Sequence, residues 1–314
     1  MSPMAPMITA CVGVHVLDTH VLTVESIPER SDGQLVDTIR MSPAGTAGGT
    51  AVVLARLGAQ VSSHGAVGAD PAGDMLLALL RREGIDVSGL VRTDAAQTSA
   101  SVLPVRPNGD RPAWHCVGAN GTFTIDRIDA GALDGVTHLH LGGPEFLGGE
   151  AAAALLAGAR EQGASTSVDL LAPGEPGILE WVEECLPHVD HLLPNDEQVL
   201  GLTGTTDLVA GARALVARGV GTVAVTQGAR GALVVTADEV VEVPAYDVEV
   251  VDTTGCGDAF SAGYLRGLST GRDLRGAAEL GCATAAHVAQ GVGTDHGAYD
   301  LAAVTTFADT AARR

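Results

Sequence analysis

The chain has 314 residues, 46% of them hydrophobic, with 41 glycines but only 4 Phe, 3 Tyr and 2 Trp; it can bury a sizeable core, as one large α/β domain or two smaller ones. A formal net charge of −20 argues against a nucleic-acid backbone or an anionic membrane as partner, since both reward a basic face. Five scattered cysteines without a C-x-x-C pair argue against a disulfide scaffold or a zinc site and for a reducing cytoplasm, and no run reaches the roughly 18 apolar residues of a membrane span.

The start carries no basic segment and reads as a ragged terminus, not a signal peptide. Short β-branched runs then alternate with Ala/Leu-rich helical stretches. Residues 8–16 predict a strand, 50–57 a helix stopped by Gly58, 61–67 a strand, and 72–83 a helix stopped by Gly84. Residues 136–141 predict a strand, 151–162 a helix, and 165–170 and 189–193 strands. Helices are expected over 196–202 and 208–217, a strand over 222–226, a hairpin over 232–243, and helices over 259–267 and 274–288. The alternation predicts an α/β fold: a doubly wound, mostly parallel sheet with helices on both faces.

Two regions break the pattern. Residues 21–39 hold two strand-like pieces (HVLTV and QLVDTI) around a Pro/Gly/charge-rich turn, and 99–117 hold two more (SASVLPV and AWHCV) around PNGDR. Together these insertions, over roughly 20–40 and 97–118, are expected to form a small β lid over one end of the sheet. No repeat or long linker divides the chain, so residues 1–314 are expected to form a single domain.

The string that carries chemistry is Asp252-Thr253-Thr254-Gly255-Cys256-Gly257-Asp258-Ala259-Phe260-Ser261-Ala262-Gly263. A turn with almost no bulky side chains runs into an apolar helix. Its N–H groups point outward, and a helix N-terminus carries roughly half a positive charge. This builds an anion site without Lys or Arg. Asp258 in that electropositive turn is expected to stay ionised and to accept a proton. An anion site beside a fixed carboxylate is what phosphoryl transfer to a hydroxyl needs. The bland alternative is a helix N-cap.

The string closely resembles the second signature of the ribokinase, or PfkB, family of carbohydrate kinases, D-T-x-G-A-G-D, with Cys256 where a small residue is usual. The resemblance covers nearly the whole chain. It implies a ribokinase-like domain that uses ATP and Mg²⁺ to phosphorylate a primary hydroxyl of a small ribose- or fructose-like sugar. Asp258 corresponds to the family's base, and Gly255, Cys256 and Gly257 to its anion hole. Thr226, Gly228 and Gly231 match the T-x-G-x-x-G near the ATP phosphates, and Asn195 matches the Asn of P-N-x-x-E. Asp18 matches the early acid that hydrogen-bonds sugar hydroxyls. No G-x-x-x-x-G-K-[ST] occurs, so the chain is not a P-loop protein.

The chain also departs from the family pattern. The first signature, G-G-x-x-x-N, aligns with Ala44 and Gly45 and puts Gly49 at the Asn. Gly45, Thr46 and Gly49 are expected to bring backbone close to the sugar, without the bond to it that an Asn side chain would add. Gln198 replaces the Glu of P-N-x-x-E, which in relatives organises metal-bound water; its carbonyl is expected to accept from such a water. Asp252 and Thr254 match the front half of a monovalent-cation site, for K⁺, whose back half would come from backbone around 288–294.

Rival readings are a nucleoside kinase of the same family, with the same base and anion hole, and a non-catalytic sugar-binding regulatory protein. Scarce aromatics lean toward sugar over nucleoside. Cys256 at a helix N-terminus would be a nucleophile only with a partner histidine, and none can be placed near it in the sequence. His138 and His140, two apart on a strand, share a face and read as buried polar residues rather than a metal pair. The exposed hairpin edges suggest a homodimer through the lids.

Overall fold

The computed structural model describes residues 6–106, 111–128 and 131–314. The main sheet runs in the order β13-β12-β11-β10-β9-β8-β1-β4-β5. These strands are β1 (Ile8–Gly13), β4 (Gln60–Gly68), β5 (Asp86–Thr93), β8 (His138–Gly142), β9 (Ser165–Asp169), β10 (His191–Leu192), β11 (Thr222–Thr226), β12 (Ala232–Val235) and β13 (Val240–Val243). Pairing is parallel from β11 through to β5, and β12 and β13 add an antiparallel hairpin at one edge.

Both sheet faces are covered, because β-strand alternation sends successive side chains to opposite sides. Cys11 of β1 enters one core, with Leu54 and Phe260, while its neighbours Ala10 and Val12 enter the other, with Leu156 and Leu215. The first core holds the helices α1 (Gly48–Arg56), α2 (Pro71–Arg82), α7 (Cys256–Ser269), α8 (Leu274–Val288) and α9 (Leu301–Thr310). The second holds α3 (Gly149–Glu161), α4 (Pro176–Val182), α5 (Asp196–Thr203) and α6 (Leu208–Val216). This is the doubly wound architecture expected.

The expected strand 8–16 is two strands. The chain leaves the main sheet after Gly13, where the Val14 N–H donates to the Gly142 carbonyl at 3.0 Å. It then enters a small sheet of β2 (Val16–Leu22), β3 (Thr38–Ala44), β6 (Ala100–Val105) and β7 (Trp114–Cys116), in the order β3-β2-β6-β7. The first insertion thus starts earlier and pairs later than HVLTV and QLVDTI suggested. Pro43 disguises β3 in the sequence, but β3 is an edge strand, where a missing N–H is tolerated. The second insertion matches its expected strands, although its turn residues 107–110 lie outside the described residues.

The sequence reading lacks β5, α4 and α9. β5 has only Val87 and Leu90 buried, around a central glycine, so its apolar run is weak. α4 and α9 are set by their ends: Pro176 opens one, and the Asp300 carboxylate caps the other by accepting from Ala303 N–H at 2.8 Å. Among the described residues no single helix is long and apolar enough to cross a membrane.

Candidate active site

The crevice lies where such sheets place ligands, outside the carboxyl ends of the parallel strands. Its floor is the start of α7, which begins at Cys256, not Ala259. Gly255 is the N-cap, at φ 77, a left-handed conformation that glycine adopts without strain. Thr294 also leaves no room there: a Cβ on Gly255 would stand 2.2 Å from Thr294 Cγ2. The Cys256 N–H donates to the Thr253 carbonyl at 3.2 Å, and Ala259 N–H to the Gly255 carbonyl at 2.9 Å. Of the three expected anion-hole residues, Cys256 therefore has its amide engaged in the turn itself.

Asp258 stands in this first turn. Burial first, and then the charge of Asp18, push its carboxyl up to about 8, against a downward pull from Arg111. The expectation that it stays ionised is corrected accordingly: desolvation outweighs the electropositive turn. Its seat depends on Gly49, where a Cβ would meet Asp258 Oδ2 at 2.2 Å and Cγ at 2.7 Å. The residue expected to expose backbone to a sugar instead makes room for the carboxylate. Gly49 belongs to the first turn of α1, reached through Gly45 and Thr46, and its N–H donates to the Gly45 carbonyl at 2.6 Å. Thr46 is buried, with its carbonyl 3.0 Å from His140 Nε2 and its hydroxyl without a partner.

Facing Asp258, the small sheet presents a polar row. Asp18 of β2 lies in register with Ser42 of β3 and Ser101 of β6, and Ser101 with His115 of β7. Burial raises the Asp18 pKa, while the Ser101 hydroxyl and the charges of His20, His115 and Arg111 lower it. His115 Nδ1 is 2.8 Å from Ser101 Oγ. Arg111 crosses from the same insertion to donate from Nε to Thr253 Oγ1 at 2.8 Å. Sequence reasoning missed Ser101, His115 and Arg111. The available signal was alternation: Asp18 and His20 are two apart on a strand and so share a face.

On the other side of the turn, a cavity of about 270 Å³ is lined by Thr226, Gly228, Gly231, Thr253 and Gly257. Asn195 and Gln198 do not line it. They close the start of α5 reciprocally: Asn195 Oδ1 accepts from Gln198 N–H at 2.8 Å, and Gln198 Oε1 from Asn195 N–H at 2.9 Å. Gln198 Nε2 donates to the carbonyls of Leu170 and Ala172, at 2.9 and 3.0 Å. Its carbonyl, expected to accept from a metal-bound water, accepts from backbone instead.

At the ends of β8 and β9 lie two more acids. Burial and the charges of Asp258 and Glu145 push the Asp169 carboxyl well above the usual range. Glu145 Oε1 accepts from the Leu171 and Ala172 N–H groups, both at 2.7 Å, and its Oε2 is buried without a partner. Cys256 is no nucleophile. Burial, with the charges of Asp252 and Asp258, pushes its thiol up to about 12, and Sγ donates to the Ala285 carbonyl at 3.6 Å. His138 and His140 both bond Ser167 Oγ, at 2.7 and 2.8 Å, inside the core.

The family model for pfkB carbohydrate kinases matches residues 9–300. The chain belongs to that family. This kinase is 30% identical over 262 residues to the ATP-dependent ribose-1-phosphate kinase of Halopiger xanaduensis, covering 82% of the chain and 84% of the relative. It is 26% identical over 288 residues to a nucleoside kinase of Methanothermobacter thermautotrophicus, covering 89% of each. The crystal structure of ribokinase from Thermotoga maritima shares the fold, at a TM-score of 0.80 and 22% identity over 98% of this chain and all of that one. The chain is thus a phosphotransferase with an alcohol acceptor, a sugar or nucleoside kinase.

Proposed function

We propose that this kinase transfers the γ-phosphoryl group of ATP to a primary hydroxyl of a small ribose- or fructose-like sugar, with Asp258 as base. The observation that carries the reading is the seat of Asp258. It stands in the first turn of α7, between the Asp18 row and the cavity beside Thr226 and Gly257. The acceptor lies against Asp18, Ser101 and His115, which match adjacent sugar hydroxyls as acceptor, hydroxyl and imidazole. Asp258 takes the hydroxyl proton as that oxygen bonds to the γ-phosphorus and the bond to the β-phosphate oxygen breaks. The Gly255 and Gly257 amides hold charge on the migrating group, and Arg111 adds a cation from above. Asn195 supports the nucleotide site indirectly, through its backbone bridge to Thr226.

Mg²⁺ suits the donor set on the far side of Asp258, where Asp169 and the unpartnered Glu145 Oε2 offer hard oxygens. Those two residues would hold it, and it would neutralise phosphate charge. Among the described residues no three acids, histidines or cysteines gather as a metal cage. Closure of the small sheet excludes water and limits wasteful ATP hydrolysis.

The acceptor row offers no aromatic platform besides His115. Trp114, on the opposite face of β7, is 57% exposed. That supports a sugar over a nucleoside. The same outer face carries exposed Ile39, Met41 and Val102, a surface for pairing with a second copy; a solely monomeric species in sedimentation at micromolar concentration removes that part of the reading. An ATP-dependent enzyme of this kind would work in the cytoplasm.

The test is ADP release with ribose, fructose, ribose 1-phosphate and nucleosides as acceptors. Turnover on a sugar, cut by about 10²–10⁴-fold in Asp258→Asn, is the expected result. Turnover confined to nucleosides replaces the sugar reading. Calorimetric sugar binding without product, across the panel, makes the protein a non-catalytic binder.

A further inference from the structure

Asp252 heads the anion turn, and its side chain is fully buried. Its Oδ1 accepts from the Thr254 N–H at 2.9 Å and the Thr254 hydroxyl at 2.7 Å. Its Oδ2 faces His20 Nδ1 at 3.3 Å, and neither of these two atoms has another partner. His20 is fully buried as well and is braced from behind, with Nε2 2.8 Å from Ser42 Oγ. A histidine of the small sheet therefore covers the one carboxylate oxygen that the turn leaves open.

The next residue in the same row repeats the pattern. His20 is in register with Arg40 on β3. Arg40 donates from Nη2 to Asp295 Oδ1 at 2.7 Å, and its buried Nη1 has no partner. That Nη1 lies beside Gly293, 3.3 Å from where a Cβ would stand. Two paired strand residues thus carry basic side chains to Asp252, in the front half of the site expected to hold K⁺, and to Gly293 and Asp295, at the end of the 288–294 back half and just past it.

Part of the backbone there also accepts hydrogen bonds. The Ala289 carbonyl accepts from the Val251 and Asp252 N–H groups, at 2.8 and 3.3 Å, and the Val288 carbonyl from Gly291 N–H at 3.1 Å. The Gly293 carbonyl accepts from His296 N–H at 3.4 Å, and the Thr294 carbonyl from the Tyr299 hydroxyl at 2.9 Å. A monovalent cation needs open oxygens and no competing cation. The open carboxylate oxygen is covered by His20 and a guanidinium already stands beside Gly293, so these side chains do not fit the ion.

We infer that the His20–Arg40 row takes the place of a monovalent cation in this kinase. His20 is a positioning residue: it fixes Asp252, and through it the turn that receives the phosphoryl group. This rests on the reading of the 255–257 turn given above. Because His20 and Asp18 lie on one strand, seating the acceptor and bracing the anion turn become a single movement of the small sheet.

The test compares KCl with tetramethylammonium chloride at equal ionic strength, in the full chain with ATP and Mg²⁺, reading turnover and the thermal midpoint. Wild type is expected to turn over at rates within about twofold in the two salts, with no saturable K⁺ shift in the midpoint. His20→Ala is expected to lose about 10–100-fold in kcat with KM values little changed, the scale seen when a residue that orients a ligating group is removed. K⁺ should then restore part of that loss and raise the midpoint saturably, because Asp252 Oδ2 is uncovered. His20→Gln, which can still donate to Asp252, should retain more activity than His20→Ala. A saturable K⁺ stabilisation of wild type, or full kcat in His20→Ala, overturns the inference. Full activity in Asp258→Asn would instead sink the underlying reading, and the thermal comparison would still decide the cation question.

Discussion

The crevice floor and the small sheet above it face each other, yet they are built by different means. The floor is backbone: a left-handed glycine, a helix start, and a carboxylate held in contact with another glycine. The small sheet is side chains: Asp18, Ser101 and His115 align only because β2 falls into register with β6 and β7, about 80 residues further along the chain. A backbone site can be mutated only through shape. A side-chain row can be mutated one group at a time, so the two regions can be tested separately.

The largest effect should come from the floor. Asp258→Asn is expected to cut kcat by about 10²–10⁴-fold, the range for losing a general base, with ATP KM nearly unchanged. Gly49→Ala tests the same carboxylate from behind. Its methyl would overlap Asp258 Oδ2, and a carboxylate pushed aside by an ångström should cost on the order of 10²-fold in kcat. A Gly49→Ala enzyme with normal kcat would show that Asp258 is not seated as described.

The sheet should answer differently. Asp18→Asn is expected to lower kcat/KM for the acceptor by about 10–100-fold, the loss of a charged hydrogen bond, while ATP KM holds. The Asp18 charge is one of the causes raising the Asp258 pKa, so the same variant should move the activity limb to lower pH. Arg111→Gln removes the opposing pull and should move it higher. The smallest kinetic effect belongs to Gln198→Ala. It should leave kcat and Mg²⁺ dependence close to wild type and destabilise by about 0.5–2 kcal/mol, the worth of a helix cap, read in a denaturant melt. Altered Mg²⁺ dependence in that variant would return Gln198 to the metal site.

The same contrast explains what the sequence disclosed. The twelve residues from Asp252 to Gly263 are contiguous, so the turn into α7 and the acid in its first turn were legible in the sequence. So was the alternation that makes the main sheet. Gly49 was visible only as a missing Asn, because a close approach to a residue 209 positions away leaves no local trace. Gln198 looked like a damaged metal ligand because its partners, Leu170 and Ala172, belong to another loop. The small sheet was half-read: Pro43 hid an edge strand, and without β3 the pairings of His20 with Arg40 and of Asp18 with Ser42 could not be placed.

The measurement closest to the central claim is the pH dependence of kcat/KM for the acceptor, in wild type and in Asp258→Asn. As the proposed base, Asp258 would act in its unprotonated form, and burial beside Asp18 pushes its pKa up to about 8. Activity should therefore climb about tenfold per pH unit below that value and level off above it, and the residual activity of Asp258→Asn should lack this limb. A flat profile through neutrality in wild type, or the same limb surviving in Asp258→Asn, would contradict Asp258 as the base.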